Sequence, residues 1–193
     1  MTLEKVYNIL QSLGITWWLQ AGGLITMYRD NYLNPTLDWD IGIFEEDLSP
    51  TVINKIRKHL YIRAFWRAKR DKKISFTAVN HQSHGLDFNY FYKGTKLKKY
   101  YYSAFPDYSK NLFRCYHTPF DIDYYNYKGF DIPIPSNTEL FLEETYGEEW
   151  RVPNSSQLYI YEYACAVETP YKIIKDYSNN FIGVSSILNR RIK

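Results

Sequence analysis

The chain has 193 residues and a formal net charge of +3, with 45% hydrophobic and 19% aromatic residues. That length supports one domain with a sizeable core, the aromatic content excludes a disordered chain, and the weak positive charge does not by itself argue for nucleic-acid binding. Cys115 and Cys165 have neither C-x-x-C nor metal-site spacing, the N-terminus does not read as a signal peptide, and no apolar run reaches the ~18 residues of a membrane span, so a reducing, cytoplasmic setting is expected.

Leu3, Val6, Tyr7, Leu10 and Leu13 recur at helical spacing, and Gly14 is a natural stop. Residues 15–20 follow as a buried strand that delivers the chain to Gly22-Gly23, and residues 24–29 read as a short helix. A loop through Asn34-Pro35 leads to a second strand over residues 37–44, which carries Asp38 and Asp40. Ser49-Pro50 caps and opens a further helix, with Val52, Ile53, Ile56 and Leu60 as its buried stripe and its end near His59. Residues 62–68 and 74–79 are strand candidates, split by the basic turn Lys69-Arg70-Asp71-Lys72-Lys73, and residues 86–92 form another strand with Asp87 inside it.

Beyond Lys93 the pattern weakens. Lys93-Gly94 opens a turn, and tyrosines and phenylalanines then crowd residues 100–127, most of them as core or sheet-face residues. Asp121 and Asp123 form a second Asp-x-Asp, but in a polar, tyrosine-rich run that suits the surface. Residues 130–135 are a short strand, and Ser136-Asn137-Thr138-Glu139 reads as a capping box that launches a helix to Tyr146, stopped by Gly147. A last helix is expected over residues 157–167, before a basic tail. The partition that follows is a catalytic unit over residues 1–153 and a helical extension over residues 154–193 packed on the same domain.

The chemistry concentrates in residues 17–44. Alternate strand residues share a face, so Asp38 and Asp40 point together, and two like charges on an apolar strand resist burial. A hard divalent cation such as Mg²⁺, or Mn²⁺ in its place, makes such a pair tolerable and also bridges substrate phosphates. Asp87 is the candidate third carboxylate of this cage, by adjacency of the two strands in the sheet. Gly22 and Gly23, at a strand-to-helix turn, let backbone N–H groups approach a phosphate. Arg29 on the next helix is a candidate phosphate clamp, with a surface ion pair as its alternative. For the basic turn, a solvated hairpin tip is the simpler reading and a lid of cations over a phosphate chain, including Arg70 and Lys73, the functional one. His81 and His84, just before Asp87, and the remaining histidines have no nucleophile motif around them.

The run AGGLITMYRDNYLNPTLDWDIGI resembles the opening signature of the LicD and fukutin-type transferases of the nucleotidyltransferase-fold superfamily, with Gly22, Leu24, Ile25, Arg29, Pro35, Asp38 and Asp40 on matching positions. IPSNTELFLEETYGEEWRVP is similar to the closing segment of the same family, a Pro, a helix, then Tyr-Gly and a Trp-x-x-Pro end. The two frame residues 17–153. Gly23 stands where the family usually has Thr and Thr26 where it has a second Gly, and the tryptophan and extra aspartates before Asp38 are absent, which leaves the substrate open. The resemblance implies an α/β (α+β) fold with a mixed twisted sheet and flanking helices. It also implies Mg²⁺-dependent transfer of a phosphoryl-linked group, phosphocholine or similar, from a nucleotide-activated donor such as a CDP-alcohol to an acceptor hydroxyl on a glycan. Two alternatives stand beside it: transfer of NMP from an NTP to a protein, tRNA or small molecule, and a catalytically inactive binding domain of the same fold.

Overall fold

The computed structural model describes residues 2–34, 38–68, 75–79, 85–94, 98–104, 111–153 and 163–176. Helix α1 is Leu3–Leu13, with the Thr2 side chain accepting from the Lys5 N–H and Gly14 closing the end at φ 65°. Strand β1, Trp17–Leu19, runs into helix α2, Ala21–Asp30. The glycines therefore lie inside the first turn of α2 rather than in a turn ahead of it. The bend is made instead by Ala21, held at φ 50°, a left-handed value that a side chain disfavours.

Strand β2 is Trp39–Phe44, with Asp38 just outside it. Helix α3, Pro50–His59, starts at Ser49, whose hydroxyl accepts from the Val52 N–H at 3.3 Å. Strands β3, Tyr61–Ala68, β4, Ser75–Val79, β5, Gly85–Lys93, β6, Tyr100–Ala104, and β7, Asn111–His117, follow. Strands β8, Ile122–Tyr127, and β9, Phe130–Pro135, pair with each other through a two-residue turn in which Lys128 and Gly129 both have positive φ, the geometry that matches hairpin twist. Asp121 and Asp123 are exposed there, as their setting suggested.

Helix α4 is Thr138–Tyr146. Its start is not a capping box: Asn137 is the cap residue and makes no side-chain cap bond, the Thr138 hydroxyl donates to the Pro135 carbonyl, and Ser136 Oγ accepts from the Asp121 N–H. Tertiary partners outcompete the local motif. The last described element, Ala166–Asp176, is strand β10 where a helix reaching residue 167 was expected; most of that expected helix lies outside the described residues. Its backbone is claimed on one edge by β3 and on the other by β7, and these ladders override local propensity.

The large sheet has the order β1-β2-β5-β4-β3-β10-β7-β6, mixed because β2 and β5 run parallel while the other pairs are antiparallel. Strand β6 also pairs with the end of β5, so the strands after β5 leave it and return to it. This is the mixed sheet with flanking helices that was expected. On one face Trp17, Leu19, Ile41, Ile43 and Phe88 are buried, and α1 lies over it with the Tyr7 ring 6.4 Å from that of Trp17. On the other face Trp18 packs against Phe44, Phe91 and Phe120 with ring centroids 4.8–5.2 Å apart, and Phe141 of α4 closes over Phe91. Gly42 is indispensable here: a Cβ on it would lie 2.2 Å from the Trp18 ring.

Candidate functional site

Strand β2 brings Asp40 beside Asp87. The parallel register of β2 and β5 sets the two residues directly against each other, and in-register neighbours project from the same face. Both are half-buried. Burial, then the Asp87 carboxylate, then that of Asp38, push the Asp40 carboxyl well above the usual carboxylate range. Asp38 lies next to the pair, just ahead of the ladder. It is exposed, it precedes the strand, and its Oδ1 accepts a 2.7 Å hydrogen bond from the Gly85 N–H, bracing the start of β5. In the sheet ladder Asp40 is set against Asp87, and Asp38, one residue before the strand, lies close enough for its charge to act on Asp40 as well.

Directly beside this pair is the N-terminus of α2. The Gln20 N–H donates to the Asp40 carbonyl at 3.0 Å, which ties the strand-to-helix bend to β2. The helix's first backbone bond is Leu24 N–H to Gln20 C=O at 3.2 Å, so the N–H groups of Ala21, Gly22 and Gly23 precede it and form the donor end of the helix. An Ala21 in left-handed conformation followed by helical residues turns successive N–H groups inward, the concavity that suits an anion. The glycines differ in role. A Cβ on Gly22 would meet nothing within 4 Å, whereas one on Gly23 would press on Leu19 Cδ1 at 3.0 Å. Gly22 faces open space, and Gly23 is small because β1 packs under it.

Two tyrosines that sequence reasoning did not single out line the same site. Tyr146 ends α4, and Tyr163 sits in the turn that precedes β10, docked on α4 by the Ala164 N–H to Thr145 C=O bond of 2.9 Å. Their rings stand edge to face at 5.2 Å and their phenols are hydrogen-bonded. Burial first, and the Asp40 charge among the lesser causes, raise both phenols, so they remain protonated donors at neutral pH. No local signal marks Tyr163 as a site residue; only the return of the chain to α4 brings it to Asp40.

Arg29 is half-buried and engaged within the protein. Its Nε and Nη2 donate to both oxygens of Asp30 at 2.7 Å, and Nη1 donates to the Trp150 carbonyl at 3.0 Å. That places it as a tie between α2 and the Trp-bearing turn after α4, with the ion pair of the alternative reading realised. Arg70 and Lys73, like His81 and His84, lie outside the described residues. Behind the site, His117 is fully buried and stacked 4.1 Å from Phe141. Glu144 of α4 lies 3.6 Å from His117 Nδ1 and accepts from the Thr118 N–H and hydroxyl, each at 2.8 Å. The His117 contact and then the two Thr118 bonds outweigh burial and hold the Glu144 carboxyl at about 2. Burial lowers His117, leaving a neutral imidazole. The two cysteines, both buried and free, come into thiol contact with each other.

Among the described residues, no three His, Cys, Asp or Glu side chains converge into a ready-made metal cage. The residues that fit a hard cation are the in-register carboxylates of Asp40 and Asp87 with Asp38 beside them, whose mutual repulsion such an ion relieves. No helix among the described residues is long and apolar enough to cross a membrane.

No family model matches the chain. It is 24% identical over 166 residues to the ribitol-5-phosphate transferase FKTN of Mus musculus, an alignment that covers 78% of this chain and 32% of that protein. The Homo sapiens ribitol-5-phosphate transferase FKTN is 23% identical over the same shares of the two chains. The chain thus spans about a third of the length of the curated relatives it matches. Among solved structures, the lincomycin-bound lincosamide antibiotic adenylyltransferase LnuA superposes with a TM-score of 0.48 at 16% identity, covering 74% of this chain and 85% of that one. The similarity to ribitol-5-phosphate transferases is distant, and it falls on the fukutin-type proteins that the two sequence motifs resemble.

Proposed function

We propose that this chain is a transferase of phosphorus-containing groups. It moves a polyol-phosphate or similar phosphoryl-linked group from a nucleotide-activated donor, such as a CDP-alcohol, to an acceptor hydroxyl. The observation that carries this reading is the in-register pair Asp40 and Asp87 set against the open, glycine-bearing N-terminus of α2. A doubly acidic patch next to a phosphate-binding helix end makes little sense for either feature alone, since carboxylates repel phosphates unless a cation stands between them. The distant similarity to ribitol-5-phosphate transferases supports the same class.

In this reading Asp40 and Asp87, with Asp38 beside them, would hold Mg²⁺ or Mn²⁺. When bound, the cation neutralises the phosphate oxygens and stabilises the charge that builds on them during in-line displacement. The first-turn N–H groups of α2 hold the phosphate next to it, and Gly22 leaves room for its approach. The acceptor oxygen forms a bond to the phosphorus of the transferred group as the bond from that phosphorus to the CMP oxygen breaks, and the acceptor's proton passes to Asp87. Tyr146 and Tyr163, protonated and hydrogen-bonded, offer an aromatic wall and hydroxyl donors without adding charge.

The test is product analysis with CDP-ribitol, CDP-choline and the four NTPs, with and without Mg²⁺. Release of CMP from a CDP-alcohol that depends on Mg²⁺ and disappears in Asp40→Asn is the expected result. Pyrophosphate release from an NTP would replace the reading with nucleotidyl transfer, and no turnover with any of them would point to a binding domain.

A further inference from the structure

Gln20 combines two unmet features at one point of the fold. It is the residue ahead of α2, the position whose side-chain oxygen ordinarily accepts from the first N–H groups of a helix, yet it makes no such bond. Its Oε1 has no hydrogen-bond partner among the described residues, although the residue is only 2% exposed. Open helix N–H groups and an open carbonyl oxygen therefore stand at the same place. The side chain is also on the carboxylate face. The Gln20 N–H bond to the Asp40 carbonyl continues the antiparallel register of Trp18 with Gly42 and Leu19 with Ile41 by one step, and the Gln20 backbone is still extended, at φ −139° and ψ −175°. Directly opposed residues of a ladder share a face, so the Gln20 side chain leaves on the side that Asp40 uses. The packing agrees: Trp18, two residues back, lies against Phe44 and Phe91, the residues four beyond Asp40 and Asp87 on their strands.

Buried amide oxygens are almost always satisfied, so one left open beside a helix end that suits phosphate calls for a donor carried by the ligand. The helix N–H groups take an acceptor, a phosphate oxygen, and Oε1 takes a donor, an O–H. A ligand that meets both has a phosphate ester with a hydroxyl on the next carbon, as glycerol and ribitol phosphates do. Phosphocholine carries a trimethylammonium group there, which has no hydrogen on nitrogen or oxygen to donate. The attacking hydroxyl of the acceptor is not the partner, since its proton passes to Asp87. We propose that Gln20 is a specificity-determining residue whose Oε1 accepts a hydrogen bond from the hydroxyl next to the phosphate ester of the transferred group, so that the site takes polyol phosphates in preference to phosphocholine; this rests on the transferase reading above. A donor without that hydroxyl strands the buried oxygen, and sites that hydrogen-bond a substrate hydroxyl discriminate far more strongly than apolar pockets do.

The experiment is isothermal titration of the full chain in Mg²⁺, without acceptor, by CDP-ribitol, CDP-glycerol and CDP-choline, with CMP as the part they share. Wild type should bind the two polyol donors at least about tenfold tighter than CDP-choline, and Gln20→Leu should bring that ratio towards one by weakening the polyol donors. Gln20→Met, closer in size to glutamine, should do the same and takes the place of Gln20→Leu if the smaller side chain unfolds the protein. Gln20→Glu keeps an acceptor oxygen and should retain the preference. CMP should bind wild type and the two apolar variants alike. An unchanged polyol preference in Gln20→Leu and Gln20→Met overturns the assignment. So does a loss of CMP binding as large as that of CDP-ribitol, because Oε1 would then serve the nucleoside. Binding of CDP-alcohols with no polyol preference in wild type removes the role of Gln20 and leaves the transferase reading standing, whereas no binding of any CDP-alcohol removes both.

Discussion

Replacing Asp40 by Asn should stabilise the metal-free protein. The carboxyl is buried beside Asp87 and near Asp38, and burial and both neighbouring charges act against the ionised form. With carboxylates about 5 Å apart, as strand spacing suggests, and an effective dielectric of about 20, the Asp40–Asp87 repulsion is about 3 kcal/mol. Partial solvent access at a half-buried site, and proton uptake by Asp40 itself, reduce what the fold bears at neutral pH to about 1–3 kcal/mol. In a chain of this size that corresponds to a melting temperature about 2–12 °C higher for Asp40→Asn. The assay is calorimetry or thermal denaturation at pH 7.5 in EDTA, then in millimolar Mg²⁺. Wild type should gain from the ion and the variant should not, so the gap narrows when metal is added. A variant that melts below wild type in EDTA would refute the argument, because Asp40 would then be a structural hydrogen-bonding residue and not one half of a repelling pair.

Gly42→Ala would drive a methyl group into the Trp18 ring and should cost about 1–3 kcal/mol, read as a lower urea midpoint at unchanged m-value. Gly22→Ala meets open space at a helical position and should raise stability by up to about 1 kcal/mol while weakening the nucleotide-dependent thermal shift, whereas Gly23→Ala, pressed against Leu19, should lower stability. Glu144 titrates at about 2 in the fold against 4.5 unfolded, so its contribution is complete above pH 4.5 and is lost as pH falls towards 2. After discounting for partial exposure this is about 1–2 kcal/mol, and Glu144→Gln should flatten the stability profile between pH 5 and 2; parallel profiles would rule the contribution out. His117, lowered by burial, adds a loss of the same sign that begins as pH drops through 6.5, the value of its unfolded form.

Where an element depends on neighbours in the chain, the residues alone determined it. Helix α1 is bounded by Thr2 and Gly14, and α3 by Ser49 and Pro50, because caps and left-handed stops act over three or four residues. Asp87 in an apolar strand and Asp40 in another were likewise legible, since burying a charge there demands a reason whatever lies opposite. Which charges meet was decided by the sheet. The parallel register of β2 with β5 selects Asp40 and Asp87 and leaves Asp38 to hold Gly85. Tyr163 becomes notable only because the chain comes back to α4 after leaving the segment that the two motifs frame. The same holds for Gly42, whose missing side chain matters solely for the indole laid over it, and for β10, claimed by a strand on each edge. Local patterns carry capping, periodicity and the cost of burying charge; pairing register and long-range packing are properties of two segments at once, and one stretch of sequence read by itself contains neither.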